Sequence, residues 1–255
     1  MQTRDDMELG SLSDVGCQRE NNEDYYSYWE PADAEQFARK GRLAIVADGM
    51  GGHEGGQEAS RIAAQAIQEV YAAASEGDPQ AWLAAGFEAA HQRILSYAEA
   101  HPKLQGMGTT CTAAALVGHD LYYAHVGDSR LYLVRGSNIS RLTHDHSYVG
   151  RLVENGAITA EQAESHPQRH ILTNALGAGS SVSLDHPDAP VEVENGDVLV
   201  LCTDGLWSVV SEDEIRTAVA AEPSAACRDL VALAKERGGP DNITIQVIAV
   251  RSARP

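Results

Sequence analysis

Apolar and polar positions change rhythm several times along this chain. Residues 7–13, 25–29 and 42–47 read as strands, rich in β-branched, aromatic and small apolar residues. The rhythm then lengthens. In residues 57–73 the positions Ala59, Ile62, Ala63, Ala66, Ile67 and Val70 share one helical face. A second helix is expected after Asp78 as N-cap, with Pro79 at the first helical position and Leu83, Phe87, Ala90 and Ile94 on one stripe. Three strands follow between residues 109 and 134, turning at Gly118-His119-Asp120 and Gly127-Asp128-Ser129. Residues 147–164 read as a polar helical stretch with a capping pattern at Thr159 and Gln162. Strands near 191–193 and 198–202 precede a helix opened by a capping box at Ser211 and Glu214, a last helix near 225–236, and a final strand at 243–250. The charged segment 31–41 reads as a loop between two strands. Strands in runs, with helix pairs between them, predict an α+β fold of two sheets covered by helices.

With 255 residues and 43% hydrophobic content, the chain can fill a sizeable core. No linker, repeat or low-complexity tract divides it, so one domain over 1–255 is expected. No apolar stretch reaches the length of a membrane span, and the first residues lack the basic-then-apolar layout of a signal peptide. A cytoplasmic protein with no membrane association is the expectation. The 19 basic against 37 acidic residues give a net charge of −18, which argues against nucleic acid as a partner. Cys17, Cys111, Cys202 and Cys227 form no C-x-x-C pair, and none is followed by arginine six positions on. A thiol-phosphatase loop is therefore absent, as are a Walker loop and an H-E-x-x-H pair.

Charge becomes informative at the strand ends. Asp48 and Asp204 follow apolar runs, Asp128 follows a third after Gly127, and Asp241 precedes the last strand. Gathered carboxylates repel one another unless a cation sits among them. An all-oxygen donor set suits Mg²⁺ or Mn²⁺ better than zinc. Small neighbours such as Gly49, Gly51, Gly52 and Gly205 would let backbone approach an ion, and a further acid pair, Glu23-Asp24, precedes a strand. Arg19 is open to two readings: a salt bridge to this cluster, or a bidentate fork for a substrate phosphate.

Six segments together carry a resemblance. They are Ser13-Asp14-Val15-Gly16 with Arg19-Glu20-Asn21-Asn22-Glu23-Asp24, Val46-Ala47-Asp48-Gly49-Met50-Gly51-Gly52-His53, Gly106-Met107-Gly108-Thr109-Thr110, Val126-Gly127-Asp128-Ser129-Arg130, Cys202-Thr203-Asp204-Gly205-Leu206 and Gly238-Gly239-Pro240-Asp241-Asn242. In this order they resemble the motifs of the PPM family, the metal-dependent protein phosphatases of type 2C, in the compact bacterial form. The resemblance runs from about residue 9 to residue 250. It implies a central β-sandwich of two mostly antiparallel sheets flanked by pairs of helices, a four-layer αββα arrangement with a helical flap at about 142–177. It implies hydrolysis of phosphoserine and phosphothreonine in proteins by a hydroxide bridging two metal ions, Mn²⁺ or Mg²⁺.

By the same resemblance Asp48 bridges the two ions, the carbonyl of Gly49 serves the second, and Asp204 and Asp241 hold the first. Glu23 and Asp24 act mainly through waters, and Asp128 with Asp204 forms a third ion site. Arg19 matches the phosphate-binding arginine. His53 stands as general acid or as a hydrogen-bonding partner of a water at the site. Phosphorylated proteins, a serine/threonine kinase acting on the same substrates, and a monomeric state complete the expectation. The contrasting expectation is an inactive family member acting as a scaffold, but such copies lose metal aspartates, and Asp48, Asp204 and Asp241 are all present.

Overall fold

The protein is described by a computed structural model covering residues 6–52, 54–164 and 166–251. In chain order the elements are β1 (Met7–Asp14), β2 (Asp24–Trp29), α1 (Ala34–Lys40), β3 (Arg42–Met50), α2 (Glu54–Ala73), α3 (Pro79–Ala100) and a 3₁₀ turn (Pro102–Leu104). Then come β4 (Gly108–Thr109), β5 (Cys111–Val117), β6 (Asp120–Val126), β7 (Arg130–Arg135), β8 (Asn138–Arg141), α4 (Tyr148–Glu154) and α5 (Ala160–Glu164). The chain continues through β9 (Val191–Glu192), β10 (Val198–Cys202), α6 (Asp204–Trp207), α7 (Glu212–Ala218), α8 (Pro223–Glu236) and β11 (Ile243–Val250).

The strands form two sheets, one in the order β1-β11-β10-β7-β8 and one in the order β2-β3-β5-β6-β9, with β4 paired to β3. All these pairings are antiparallel. Side-chain alternation explains why they stack. On β3, Leu43, Ile45 and Ala47 pack with residues of α2 and α3, while Ala44 and Val46 pack into the cluster between the sheets. On β10 the same division sends Val200 and Cys202 towards α7 and α8, and Leu199 and Leu201 towards the other sheet. Strands covered on both faces read as continuous apolar runs, which is why β3 and β10 were so legible. The result is four layers: α2 and α3, one sheet, the other sheet, then α7 and α8. The expected α+β sandwich with flanking helix pairs is what the chain adopts.

Local expectations need three corrections. Segment 31–41 is not a loop throughout: it contains α1. Asp33 caps that helix by accepting from the Gln36 amide at 2.9 Å, and Gly41 ends it with φ of 58°. A seven-residue helix whose Phe37 meets the Arg42 guanidinium has too few apolar positions to show a period. The stretch 147–164 is two short helices, α4 and α5, broken around Gly156 at φ 67°. The predicted capping bonds between Thr159 and Gln162 do form, at 2.8 and 3.3 Å. The run 109–134 holds four strands, because β4 pairs with β3 before β5 begins. The box at Ser211 and Glu214 closes as expected. Cys111, Cys202 and Cys227 are buried and Cys17 is exposed, all four as free thiols. Among the described residues, no helix is long and apolar enough to cross a membrane.

Candidate active site

The sandwich brings the predicted acids to one end. Pairing of β2 with β3 sets Asp24 directly opposite Asp48. Like charges in that position destabilise a sheet pair, so the register is held by the apolar residues behind them, in spite of the acids. Asp128 lies in the turn before β7, Asp204 opens α6 at the end of β10, and Asp241 precedes β11. Burial pushes the Asp48 carboxyl well above its ordinary range, and Asp24, Asp204, Asp128 and Asp241 push it further. Burial does the same to Asp128, with Asp204 and Asp145 adding to it. Burial raises Asp24 to about 7, even though Thr203 donates to its carboxylate. Asp204 is raised by burial and by Asp241, offset in part by hydrogen bonding with Asp48 and by His170 and Arg19.

These acids fit a hard cation. Thr203 donates to Oδ2 of Asp24 at 2.9 Å, yet Oδ1 of Asp24 and Oδ1 of Asp204 are buried without a hydrogen-bond partner. Buried carboxylate oxygens left unsatisfied are costly, and an oxygen-seeking ion is the ligand that relieves them. Backbone is pressed into the same place. A Cβ on Gly49 would sit 2.1 Å from the Gly56 carbonyl oxygen, and one on Gly56 would sit 1.9 Å from Oε2 of Glu23. Glycine at both positions lets the end of β3, the Glu23 carboxylate and the first turn of α2 meet. Among the described residues no three His, Cys, Asp or Glu side chains form a closed ligand set. The acids converge while still holding protein partners: Thr203 on Asp24, and Arg19 on Asp241.

Arg19 makes the contact that plain charge pairing predicts. Its Nη2 donates to Oδ2 of Asp241 at 2.7 Å. The guanidinium side chain stays 52% exposed, so it borders the carboxylate end and faces solvent. Its loop is pinned to the Asp241 segment by backbone. Gly16, at φ 79°, comes so close that a Cβ there would lie 2.1 Å from the Asp241 carbonyl oxygen, and the Cys17 amide donates to the Gly239 carbonyl at 2.8 Å. His53 lies outside the described residues.

Several residues that support the acids were not singled out from the sequence. The Thr109 hydroxyl donates to the Asp48 carbonyl at 2.7 Å, and the Asp48 amide donates to the Thr110 hydroxyl at 3.1 Å. The Trp207 indole donates to the Asp128 carbonyl at 2.9 Å. Arg130 lies over the Trp207 ring, 3.6 Å from its centroid, and forks onto Asp145 at 3.0 and 2.6 Å. Thr109 and Thr110 did stand in a quoted motif, but hydroxyl residues in a strand carry no signal of their own.

Segment 142–177 is tied to the same end at both of its roots. The His146 amide donates to the Gly127 carbonyl at 2.6 Å, beside Asp128. Leu176 exchanges both backbone hydrogen bonds with Thr109, at 3.0 and 2.9 Å, beside Asp48. A bridge between Ser147 and Leu172 closes the neck of the segment.

Comparison with known proteins agrees with this geometry. The family described as Protein phosphatase 2C matches residues 18–233. Protein phosphatase PhpP of Streptococcus pneumoniae is 37% identical over 252 residues, covering 96% of this chain and 98% of PhpP. The solved serine/threonine phosphatase of S. agalactiae superposes with a TM-score of 0.87 at 36% identity, covering 96% of this chain and 100% of that one. The catalytic domain of the serine/threonine phosphatase PstP, solved with two manganese ions, superposes with a TM-score of 0.81 at 35% identity, covering 96% of this chain and 99% of that one. With the motif order, the sandwich and the converging acids all in agreement, the chain belongs to the protein phosphatase 2C family.

Proposed function

We propose that the chain is a metal-dependent protein phosphatase that hydrolyses phosphoserine and phosphothreonine in proteins, opposing a serine/threonine kinase. The observation that carries this reading is the gathering of Asp24, Asp48, Asp128, Asp204 and Asp241, with two orphaned carboxylate oxygens, beside an exposed guanidinium. Mn²⁺ or Mg²⁺ would be held by Asp48, the Gly49 carbonyl, Asp204 and Asp241, with Glu23 and Asp24 assisting through waters and Asp128 with Asp204 serving a third ion. When bound, such ions lower the pKa of water to yield a nucleophile near neutrality and neutralise phosphoryl oxygens. The two manganese ions of PstP support that metal chemistry.

The chain's own residues supply the rest. Arg19 can turn its fork from Asp241 onto two phosphate oxygens, which draws a dianion to a protein of net charge −18. The leaving alkoxide needs a proton, and His53 is the residue assigned to deliver it or to hold the water that does. Residues 1–255 act as one catalytic domain and as a monomer, with 142–177 as the flap.

The test is release of phosphate from a phosphothreonine peptide as Mn²⁺ is titrated, with Asp204→Asn as control. Turnover should need the metal and should collapse in the variant. Folded, Mn²⁺-saturated protein that binds the peptide without turnover would point to a scaffold instead. The flap gives a second expectation. Its neck is closed by the Ser147–Leu172 bridge, so residues 148–171 can be replaced by a short linker. The deletion should lower kcat/KM for a phosphoprotein about tenfold more than for an aryl phosphate. Equal losses on both substrates would refute a substrate-contacting role.

A further inference from the structure

Besides the Cys17–Gly239 backbone bond, the loop bearing Arg19 and the strand start bearing Asp241 are joined through one buried amide. Asn242 is 5% exposed. Its Oδ1 accepts from the Glu23 backbone amide at 2.8 Å, and its Nδ2 donates to the carbonyls of Val15 and Asn21, each at 3.0 Å. Its own backbone amide donates to Oδ1 of Asp241 at 2.8 Å. One side chain therefore grips the loop on both sides of Arg19 and holds the amide of Glu23. The oxygen and nitrogen of the amide cannot be exchanged here, because one end meets a donor and the other meets two acceptors. No other side chain among the described residues makes bonds to Val15, Asn21 and Glu23 together.

We infer that Asn242 is a positioning residue for phosphate recognition: it sets where the Arg19 fork stands relative to the acid cluster. The inference rests on the reading of Arg19 as the phosphate-binding residue. The physical argument is one of preorganisation. An exposed arginine on a polar loop loses much of its freedom when it binds a phosphate, and a loop already clamped loses less. The salt bridge to Asp241 cannot do this by itself. It is half-exposed, worth little on the surface, and must open for Arg19 to reach the substrate. The Asn242 bonds need not open. They hold backbone, not the guanidinium, so they persist while Arg19 changes partner.

Two variants remove the clamp by different means. Asn242→Ala deletes all three side-chain bonds. Asn242→Asp keeps the size and the acceptor for Glu23 but faces two carbonyls with an oxygen. Both should be studied as Mn²⁺-loaded enzyme, with calorimetric binding of inorganic phosphate, KM and kcat for an aryl phosphate, and the thermal midpoint. The expected result is a loss of phosphate affinity and a rise in KM of about tenfold or more, with a smaller fall in kcat. In an Arg19→Ala background the same changes should cost almost nothing further, since the residue they position is gone.

A uniform fall in kcat with KM unchanged would mean a merely structural role and overturn the inference. So would equal losses with and without Arg19. If Arg19→Ala alone leaves phosphate binding unchanged, the reading of Arg19 fails and the inference falls with it. If Arg19→Ala weakens binding while the Asn242 variants do not, only the inference fails. Should either variant fail to fold, hydrogen exchange on the unaltered protein decides the matter. The Glu23 amide should exchange as slowly as those of β11, and exchange at the rate of an open surface loop would refute the clamp.

Discussion

Asp48→Asn should nearly abolish turnover and, in the presence of a chelator, raise the melting temperature. The two effects share one cause. In the assignment proposed above Asp48 would be one of the groups holding the metal, so its loss should lower kcat on the order of a thousandfold or more. Without ions the same carboxyl is a liability, because burial and four neighbouring aspartates disfavour its charge. An acid whose folded pKa is raised holds its proton in the folded state where the unfolded chain has released it. Stability therefore falls as pH rises from the unfolded value towards the folded one. For Asp24 that window runs from about 4 in the unfolded chain to about 7 in the fold. Metal-free protein should melt at a higher temperature at pH 5 than at pH 8, and Asp48→Asn should flatten that slope. That relief should raise the midpoint in EDTA. Calorimetry in EDTA across pH, paired with the activity assay, reads both. A variant that keeps its activity removes Asp48 from the metal site; one that melts lower in EDTA contradicts the electrostatic argument.

Arg130→Met should be among the most damaging changes to the fold. Arg130 and Asp145 are 14% and 12% exposed and form a two-bond fork, and Arg130 also lies over Trp207, whose indole holds the Asp128 carbonyl. Burial alone would push the Asp145 carboxyl up. Arg130 outweighs it and holds that carboxyl below its ordinary range. Removing the guanidinium leaves a buried carboxylate with only the weaker contact to Arg141 at 3.3 Å. Breaking such a pair costs about 3 kcal/mol, or roughly 6–12 °C in melting temperature. Arg130→Lys should recover only part of this, because an ammonium cannot reproduce the fork or the stack. The contribution is that of an acid with a depressed pKa. It is fully present above the unfolded value near 4 and fades as pH falls below it. The gap between wild type and variant should therefore narrow at about pH 3. A loss below about 0.5 kcal/mol at neutral pH would show that Arg141 alone suffices for Asp145.

Fold and site differ in how far they were legible. The cores of β3 and β10 read directly, since a strand buried on both faces has no choice but a continuous apolar run. The stripe on α3 through Leu83, Phe87 and Ile94 read equally well, and all three are fully buried. Helix α1 did not, because its stability comes from the Asp33 cap and from Phe37 against Arg42, not from an apolar face. The break between α4 and α5 was missed for a similar reason: polar helices on a protruding segment have little period to interrupt. At the site, the identity of the acids was legible, but their partners were not. Nothing local marks Thr203 as the donor to Asp24, or Arg130 as the group that keeps Asp145 charged.

By itself, then, the order of residues determined the long strands and helices, the faces they bury, and which acids stand at strand ends, but not α1 or the break between α4 and α5. Motif order added the family, and with it the roles proposed for Asp48, Asp204, Asp241 and Arg19. Only the tertiary structure decided that Asp24 faces Asp48 across a strand pair, that Arg19 rests on Asp241, and that Asn242 grips Glu23 from 219 positions away. The physical reason is that periodicity encodes the direction of a side chain relative to its own element. Distances between elements follow from sheet register and layer packing, which depend on every apolar residue in the core at once.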